Sequence, residues 1–71
     1  MFKLGIYKHS KTGNLYKVIG IAKHSETLED FVVYEALYEN KEFKLWIRPL
    51  KMFTEEIELN GAKVSRFIAV D

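Results

Sequence analysis

The chain has 71 residues, the size of one small domain, and a formal net charge of +1, which by itself favours no class of partner. It contains no cysteine, which excludes disulfide bonds, thiolate zinc sites and cysteine nucleophiles. Because no apolar run approaches the roughly 20 residues that span a bilayer, and the start lacks the apolar stretch of a secretory signal, we expect a single cytoplasmic domain over residues 1–71 with no membrane contact.

The charges are unevenly distributed along the chain. Residues 1–25 contain five lysines and no acidic residue, whereas acidic residues dominate between residues 26 and 58. This asymmetry predicts either a surface that faces an anionic partner or two halves that exchange counter-charges across a sheet.

The first half of the chain predicts two strands joined by a tight turn. Gly5–His9 is a short strand, and residues 10–14 form a turn in which Gly13 or Asn14 can take a positive φ. Leu15–His24 is the second strand. Gly20 in its middle predicts a bend or bulge, because it removes the side chain where a sheet curls.

Two further strands follow a polar turn at residues 25–30. Residues 31–38 are nearly continuous in aromatic and aliphatic side chains, and the paired valines favour a strand covered on both faces over a helix. Residues 43–48 alternate strictly, which predicts a strand with one apolar face. We expect Phe43, Leu45 and Ile47 to point inward and Lys44, Trp46 and Arg48 to point outward.

The last third predicts a helical turn and a hairpin. Pro49 ends the preceding strand, and the three-residue spacing of Leu50 and Phe53 predicts one helical turn that holds both in the core. The dipeptide Asn60–Gly61 is typical of a two-residue type I′ turn. This turn fixes the register of the hairpin and places Glu55 opposite Arg66. The cross-strand pairs between that pair and the turn include two apolar pairs and one further pair of opposite charges.

Short strands, tight turns, a strand-bending glycine and one helical turn together indicate an all-β fold. Closure of the sheet would remove the unpaired edges of so small a protein. We therefore predict a small five-stranded SH3-like barrel with one short helical turn.

Several ordered blocks of the sequence carry a family resemblance. These blocks are Gly5–His9, Tyr16–Thr27, Val32–Tyr34, Leu37–Tyr38, Leu45–Leu50, Met52–Phe53 and Arg66–Phe67. The chain resembles the small bacterial domain-of-unknown-function family numbered 1653. The resemblance implies an SH3-like β-barrel and a bacterial protein, and it implies no activity. Lys23 stands where the family usually has arginine, Ser65 where it favours proline, and the turn after Glu39 is longer.

The string His24-Ser25-Glu26-Thr27 is the first candidate site. It brings an imidazole, two hydroxyls and a carboxylate to a strand end, where loops carry function. Neighbouring residues of an extended chain point to opposite sides, which argues against a hydrolytic triad of His24 and Ser25, and a His24–Glu26 pair is the remaining chemistry. The alternative is turn chemistry, in which the hydroxyls bond backbone amides and Glu26 fixes His24.

A metal site built from His9, His24 and a carboxylate is chemically suitable for zinc, but no close ligand spacing supports it. We assign no metal and no cofactor.

The second candidate is the stripe Lys44, Trp46 and Arg48, an aromatic side chain flanked by two cations. Such a stripe on a small barrel binds single-stranded nucleic acid by stacking and phosphate contact. The alternative is that Trp46 is half-buried and Arg48 is paired with an acidic residue. The tyrosines, including Tyr34, could instead form a peptide groove, or simply cover strands.

These observations predict a non-catalytic binding module for an anionic or peptide ligand, either nucleic acid or a protein segment. Its candidate ligand-binding residues are His24, Ser25, Glu26, Thr27, Tyr34, Trp46 and Arg48. The alternative hypothesis is a small enzyme or metal-binding site that uses His24 and Glu26.

Overall fold

A computed structural model describes residues 2–39 and 44–70 of the chain. Within these residues, strands and one helical turn follow in the order β1 Gly5–His9, β2 Leu15–Lys23, β3 Asp30–Ala36, β4 Leu45–Pro49, α1 Leu50–Phe53, β5 Glu56–Leu59, β6 Ala62–Ser65 and β7 Phe67–Ala69. The predicted all-β class with one short helical turn is confirmed.

The larger sheet has five antiparallel strands in the order β4-β3-β2-β1-β7. The first four strands are neighbours in both sequence and space, and β7 returns to pair with β1, with Lys8 opposite Ile68. In the described part of the chain β4 and β7 are open edges, so the sheet does not close into the predicted barrel. The described strands number seven, not five.

The division of the last predicted strand into β6 and β7 arises from a bend at Arg66. The backbone N–H of Arg66 donates to the carbonyl of Glu55 at 3.0 Å, and its carbonyl accepts from Ser10 at 2.9 Å. The chain therefore leaves β5 at this residue and joins β1 instead. The predicted final strand is split in two, and β5 and β6 form a separate two-stranded sheet.

The predicted irregularity near Gly20 is confirmed as a bulge. Val18 lies opposite Tyr34, but Gly20 lies opposite Val33, so Ile19 is the extra residue. The first turn also follows the prediction, with Gly13 at a φ of +79°.

The core lies on one face of the five-stranded sheet, which we call the inner face. Its buried side chains are Tyr7, Val18, Val32, Tyr34, Phe53 and Phe67. Phe53 comes from α1 and stacks on Phe67 with ring centroids 4.0 Å apart. Leu50 packs against this cluster, which confirms that the helical turn after Pro49 delivers both residues to the core. On β3, alternate residues are buried and half-buried, so that strand is fully covered on one face only.

The predicted orientation of β4 is wrong. Trp46 lies opposite the buried Tyr34, and Arg48 lies opposite the buried Val32. Paired residues of an antiparallel ladder share a face, so Trp46 and Arg48 point inward. Leu45 and Ile47 are 61% and 64% exposed. The alternation of the sequence shows which residues of a strand share a face, but it does not show which of the two faces points to the core. The large indole of Trp46 and the long aliphatic stem of Arg48 cover the inner face better than leucine and isoleucine. Phe43, also predicted to point inward, lies outside the described residues.

The hairpin of β5 and β6 has the predicted turn and register. Asn60 and Gly61 have φ values of +54° and +81°, as a type I′ turn requires. Leu59 pairs with Ala62 at the tip. At the base, Arg66 Nη2 lies 3.6 Å from Glu55 Oε1.

We expect Gly61→Ala to lower the free energy of unfolding by about 1 kcal/mol, because an L-residue is strained in the left-handed region. A Cβ at this position meets nothing within 4 Å, so the cost comes from the backbone alone. Gly20→Ala is the matched control, since its Cβ also enters open space but its φ is not in the left-handed region. Urea denaturation followed by Trp46 fluorescence measures both variants. Equal midpoints would contradict the backbone explanation.

Candidate functional site

The segment His24–Thr27 forms an exposed turn between β2 and β3. The His24 Nδ1 accepts hydrogen bonds from the backbone N–H groups of Glu26 at 3.1 Å and Thr27 at 3.2 Å. Thr27 Oγ1 accepts from the N–H of Glu29 at 3.2 Å. Of the turn chemistry given as the alternative, the bond between the Thr27 hydroxyl and a backbone amide is present, and the His24 imidazole itself binds two further backbone amides.

The two histidines lie at opposite ends of β2. His9 ends β1, whose partner is the beginning of β2, whereas His24 follows the end of β2. Nine residues of strand span roughly 30 Å. The structure therefore does not bring these imidazoles together. Among residues 2–39 and 44–70 there is no group of three side chains that could hold a metal ion.

The structure also separates the His24 turn from Trp46 and Arg48. The His24 ring lies against Phe31, with ring centroids 5.9 Å apart. Phe31 alternates with the buried Val32 along β3, so it belongs to the outer face of the sheet, while Arg48 belongs to the inner face. The candidate residues thus form two distinct groups.

The second group does form a cluster on the inner face. Arg48 Nε donates to the hydroxyl of Tyr34 at 3.3 Å. Its guanidinium carbon lies 5.7 Å from the centroid of the Phe67 ring, which gives a cation–π contact. Trp46 is half-buried and packs against the core. Of the residues predicted from the sequence, the structure brings together Tyr34, Trp46 and Arg48.

Lys44 does not join this cluster. It precedes β4, and its Nζ lies 3.2 Å from Glu35 Oε2. The predicted stripe of two cations around Trp46 is therefore reduced to Trp46 and Arg48. The pairs Lys44–Glu35 and Lys23–Asp30, the latter at 2.9 Å, also show that basic and acidic segments neutralise each other across the sheet.

Arg48 has no carboxylate partner among the described residues. The ion pairs found there join Lys23 to Asp30, Lys44 to Glu35 and Arg66 to Glu55. Arg48 is half-buried in the inner face, where it contacts a neutral hydroxyl and an aromatic ring. A desolvated cation is normally compensated by a negative group, so this position favours an anion.

His9 completes the cluster and was not singled out by sequence analysis as a partner of Arg48. Its ring meets Phe67 edge to face at 4.9 Å. Its Nδ1 accepts from the backbone N–H of Lys11 at 3.2 Å, so the neutral ring carries its proton on Nε2. Burial lowers the pKa of His9 below 6.5, and the positive charges of Arg66, Arg48 and Lys11 lower it further. We call His9, Tyr34, Arg48 and Phe67 the Arg48 cluster.

Two tyrosines border the cluster. The Tyr16 hydroxyl lies 3.2 Å from the Tyr38 hydroxyl, and the Tyr16 ring meets Tyr34 edge to face at 5.4 Å. Burial and the contact with Tyr38 raise the pKa of Tyr16 to about 12, so it is a neutral phenol at physiological pH. Tyr7 lies in the core and its hydroxyl donates to the Lys3 carbonyl at 2.6 Å. Because Tyr7 and Tyr34 are buried, the four tyrosines do not form one exposed peptide groove.

Shallow depressions lie elsewhere on the domain. One of about 420 Å³ is lined by Leu28, Glu29, Asp30, Leu50, Lys51 and Thr54. Another of about 660 Å³ is lined by Leu4, Gly5, Lys17, Val18, Ile19 and Glu35. Neither contains a residue predicted from the sequence to bind ligand.

Comparison with known families identifies the domain. The family described as "Protein of unknown function (DUF1653)" matches residues 5–69. The chain belongs to the DUF1653 family. The resemblance noted in the sequence is thereby confirmed.

A crystal structure of a DUF1653 protein from Bordetella bronchiseptica has the same fold. Its TM-score is 0.91 at 33% sequence identity, and the alignment covers 97% of this DUF1653 domain and 87% of that chain. No curated protein matches the chain. Within residues 2–39 and 44–70, no helix has the length and apolar character needed to cross a membrane.

Proposed function

We propose that this DUF1653 domain is a non-catalytic binding module for an anionic ligand, and that Arg48 receives the negative charge. The observation that carries the proposal is the half-buried guanidinium without a carboxylate partner among the described residues. Tyr34 and Phe67 hold it in a fixed position, so little side-chain entropy is lost when an anion binds. A cytoplasmic location is part of the same proposal.

Two ligand sources fit this surface. A single-stranded nucleic acid would place a phosphate on Arg48 and a base against the neighbouring aromatic side chains. An acidic or phosphorylated peptide would place its charged group on the same guanidinium. Affinity for a nucleic acid falls steeply with salt, by about 0.7 in log K per log salt for each phosphate contacted on a single strand. A peptide with one anchoring charge depends on salt much less.

The test measures binding of a labelled single-stranded oligonucleotide and of a labelled phosphopeptide by fluorescence anisotropy at two salt concentrations. We expect Arg48→Gln to weaken binding at least about tenfold, because a hydrogen-bonded ion pair contributes more than a surface charge. Arg48→Lys keeps the charge but loses the fork geometry, and should lie in between.

Lys51→Gln is the matched control, because Lys51 is an exposed cation on α1 and its loss changes the net charge equally. An equal loss of affinity in Arg48→Gln and Lys51→Gln would show that only net charge matters. If neither ligand binds at low salt, the proposal fails.

The alternative of a small enzyme or metal site at His24 and Glu26 has less support. The His24 Nδ1 is occupied by two backbone N–H groups, and Glu26 contributes its backbone to that bond. The His24 imidazole therefore maintains the turn, which is a sufficient reason for a histidine at this position.

A further inference from the structure

The Arg48 cluster offers hydrogen-bond donors from three strands. Arg48 on β4 uses Nε for Tyr34, so its two terminal nitrogens remain available. Tyr34 on β3 accepts that bond and still has its own hydroxyl proton to donate. His9 on β1 accepts at Nδ1 from Lys11, which leaves an N–H at Nε2. Each of these remaining N–H and O–H groups can donate a hydrogen bond to an anion.

We propose that His9, Tyr34 and Arg48 form a subsite for a phosphoryl group, in which the anion is bound by Arg48 and by the Nε2–H of His9. The inference rests on the proposed function and specifies its ligand. It assigns an anion-binding role to His9, which the sequence suggested only as a metal ligand.

The arrangement of donors favours a phosphoryl group over a carboxylate. A carboxylate has two oxygens in one plane and is satisfied by two parallel N–H groups of one arginine. The two terminal nitrogens of Arg48 offer such a pair, so a carboxylate bound there would leave the donors of His9 and Tyr34 unused. Donors that come from three strands around the Phe67 ring suit a tetrahedral anion with oxygens in several directions.

The charges around His9 also favour a bound anion. Lys11 lies in the turn after β1, Arg48 on β4, and Arg66 between β6 and β7, where Glu55 pairs with it. The rings of Tyr16 and Tyr34 also contact the shared ring of Phe67. Three cations and one carboxylate surround His9 and leave an excess of positive charge. This excess disfavours the protonated form of the His9 ring. A bound phosphoryl anion offsets it, so we expect His9 to take up a proton more readily in the complex.

The two imidazoles of the chain provide an internal control. We would follow the NMR titration of His9 and His24 without ligand, and then with inorganic phosphate, dimethyl phosphate or acetate at constant ionic strength. Dimethyl phosphate is a monoanion throughout the pH range in which histidine titrates. Any change that it causes in the titration of His9 therefore does not come from a change in the charge of the ligand. We expect the pKa of His9 to rise by about one unit, equivalent to tenfold coupling between anion and proton. His24, roughly 30 Å along the sheet, should not respond.

Two variants of His9 separate structural from binding effects. His9→Gln retains an amide N–H donor but cannot titrate, so it should keep measurable phosphate binding that no longer strengthens as the pH falls. His9→Phe keeps an aromatic ring beside Phe67 without the donor, and should lose about tenfold in affinity. A dinucleotide and a phosphoserine peptide then distinguish the two sources of the phosphoryl group.

The outcomes separate this inference from the proposed function. If acetate binds as tightly as the phosphates, or if His9 and His24 shift equally, the phosphoryl subsite is wrong. The binding module survives that result as long as Arg48→Gln still weakens anion binding. If no anion perturbs the Arg48 resonances at all, both proposals are wrong.

Discussion

Replacing Phe53 with alanine should remove most of the stability of the domain. Phe53 is 1% exposed, and its ring contacts those of Phe2, Tyr7, Tyr34 and Phe67. Truncation of a buried phenylalanine costs about 3–5 kcal/mol. Proteins of this length have a total stability of roughly 4–10 kcal/mol, so the variant should be largely unfolded in mild denaturant.

Met52→Ala is the control for Phe53→Ala, because it lies in the same helical turn and is 44% exposed. Its effect should stay within about 0.5 kcal/mol. Urea denaturation followed by circular dichroism gives both midpoints. A Phe53→Ala midpoint close to that of Met52→Ala would mean that α1 does not anchor the core.

The second large effect concerns which side chains of β4 face the core. We expect Trp46→Ala to lower the free energy of unfolding by about 2–4 kcal/mol, since the indole packs against the core and a tryptophan truncation leaves a large void. Its neighbour Ile47 points away from the core, and Ile47→Ala should cost less than about 1 kcal/mol. Because the first variant lacks the only tryptophan, both are measured by thermal unfolding with circular dichroism.

This pair of variants distinguishes directly between the two possible orientations of β4. If the outward orientation predicted for Trp46 were correct, Ile47→Ala would be the more damaging substitution. The ranking of the two midpoints, and not their absolute values, therefore decides the question.

The hairpin and the turns were the most predictable parts of the fold. Asn60–Gly61 specifies both the turn type and the register, because two successive positive φ values admit very few residue pairs. Gly20 marked the bulge for a different local reason, because it has no side chain where the sheet bends. The split at Arg66 was not predictable, since no residue between Ala62 and Ala69 signals a break; the switch of partner depends on Ser10 and Glu55, which are distant in sequence.

The site was predictable as a set of residues but not as an arrangement. Tyr34, Trp46 and Arg48 were selected for their chemistry, and the ladder between β3 and β4 brings them together. The His24 turn was selected by the same criterion, yet it lies on the other face, because the direction of each side chain depends on strand pairing. His9 was missed as a partner of Arg48, although the alternation of β1 places it beside Tyr7 on the inner face.

The pairing of β7 with β1 has a consequence for engineering. The N–H of Val70 donates to the carbonyl of Ile6 at 3.1 Å, so the two ends of the described chain run side by side. A short linker between them would close a ring at small entropic cost. New termini opened at the exposed tip of the β5–β6 hairpin would leave every ladder of the larger sheet intact, which makes this domain suitable for circular permutation or for insertion into a loop of another protein.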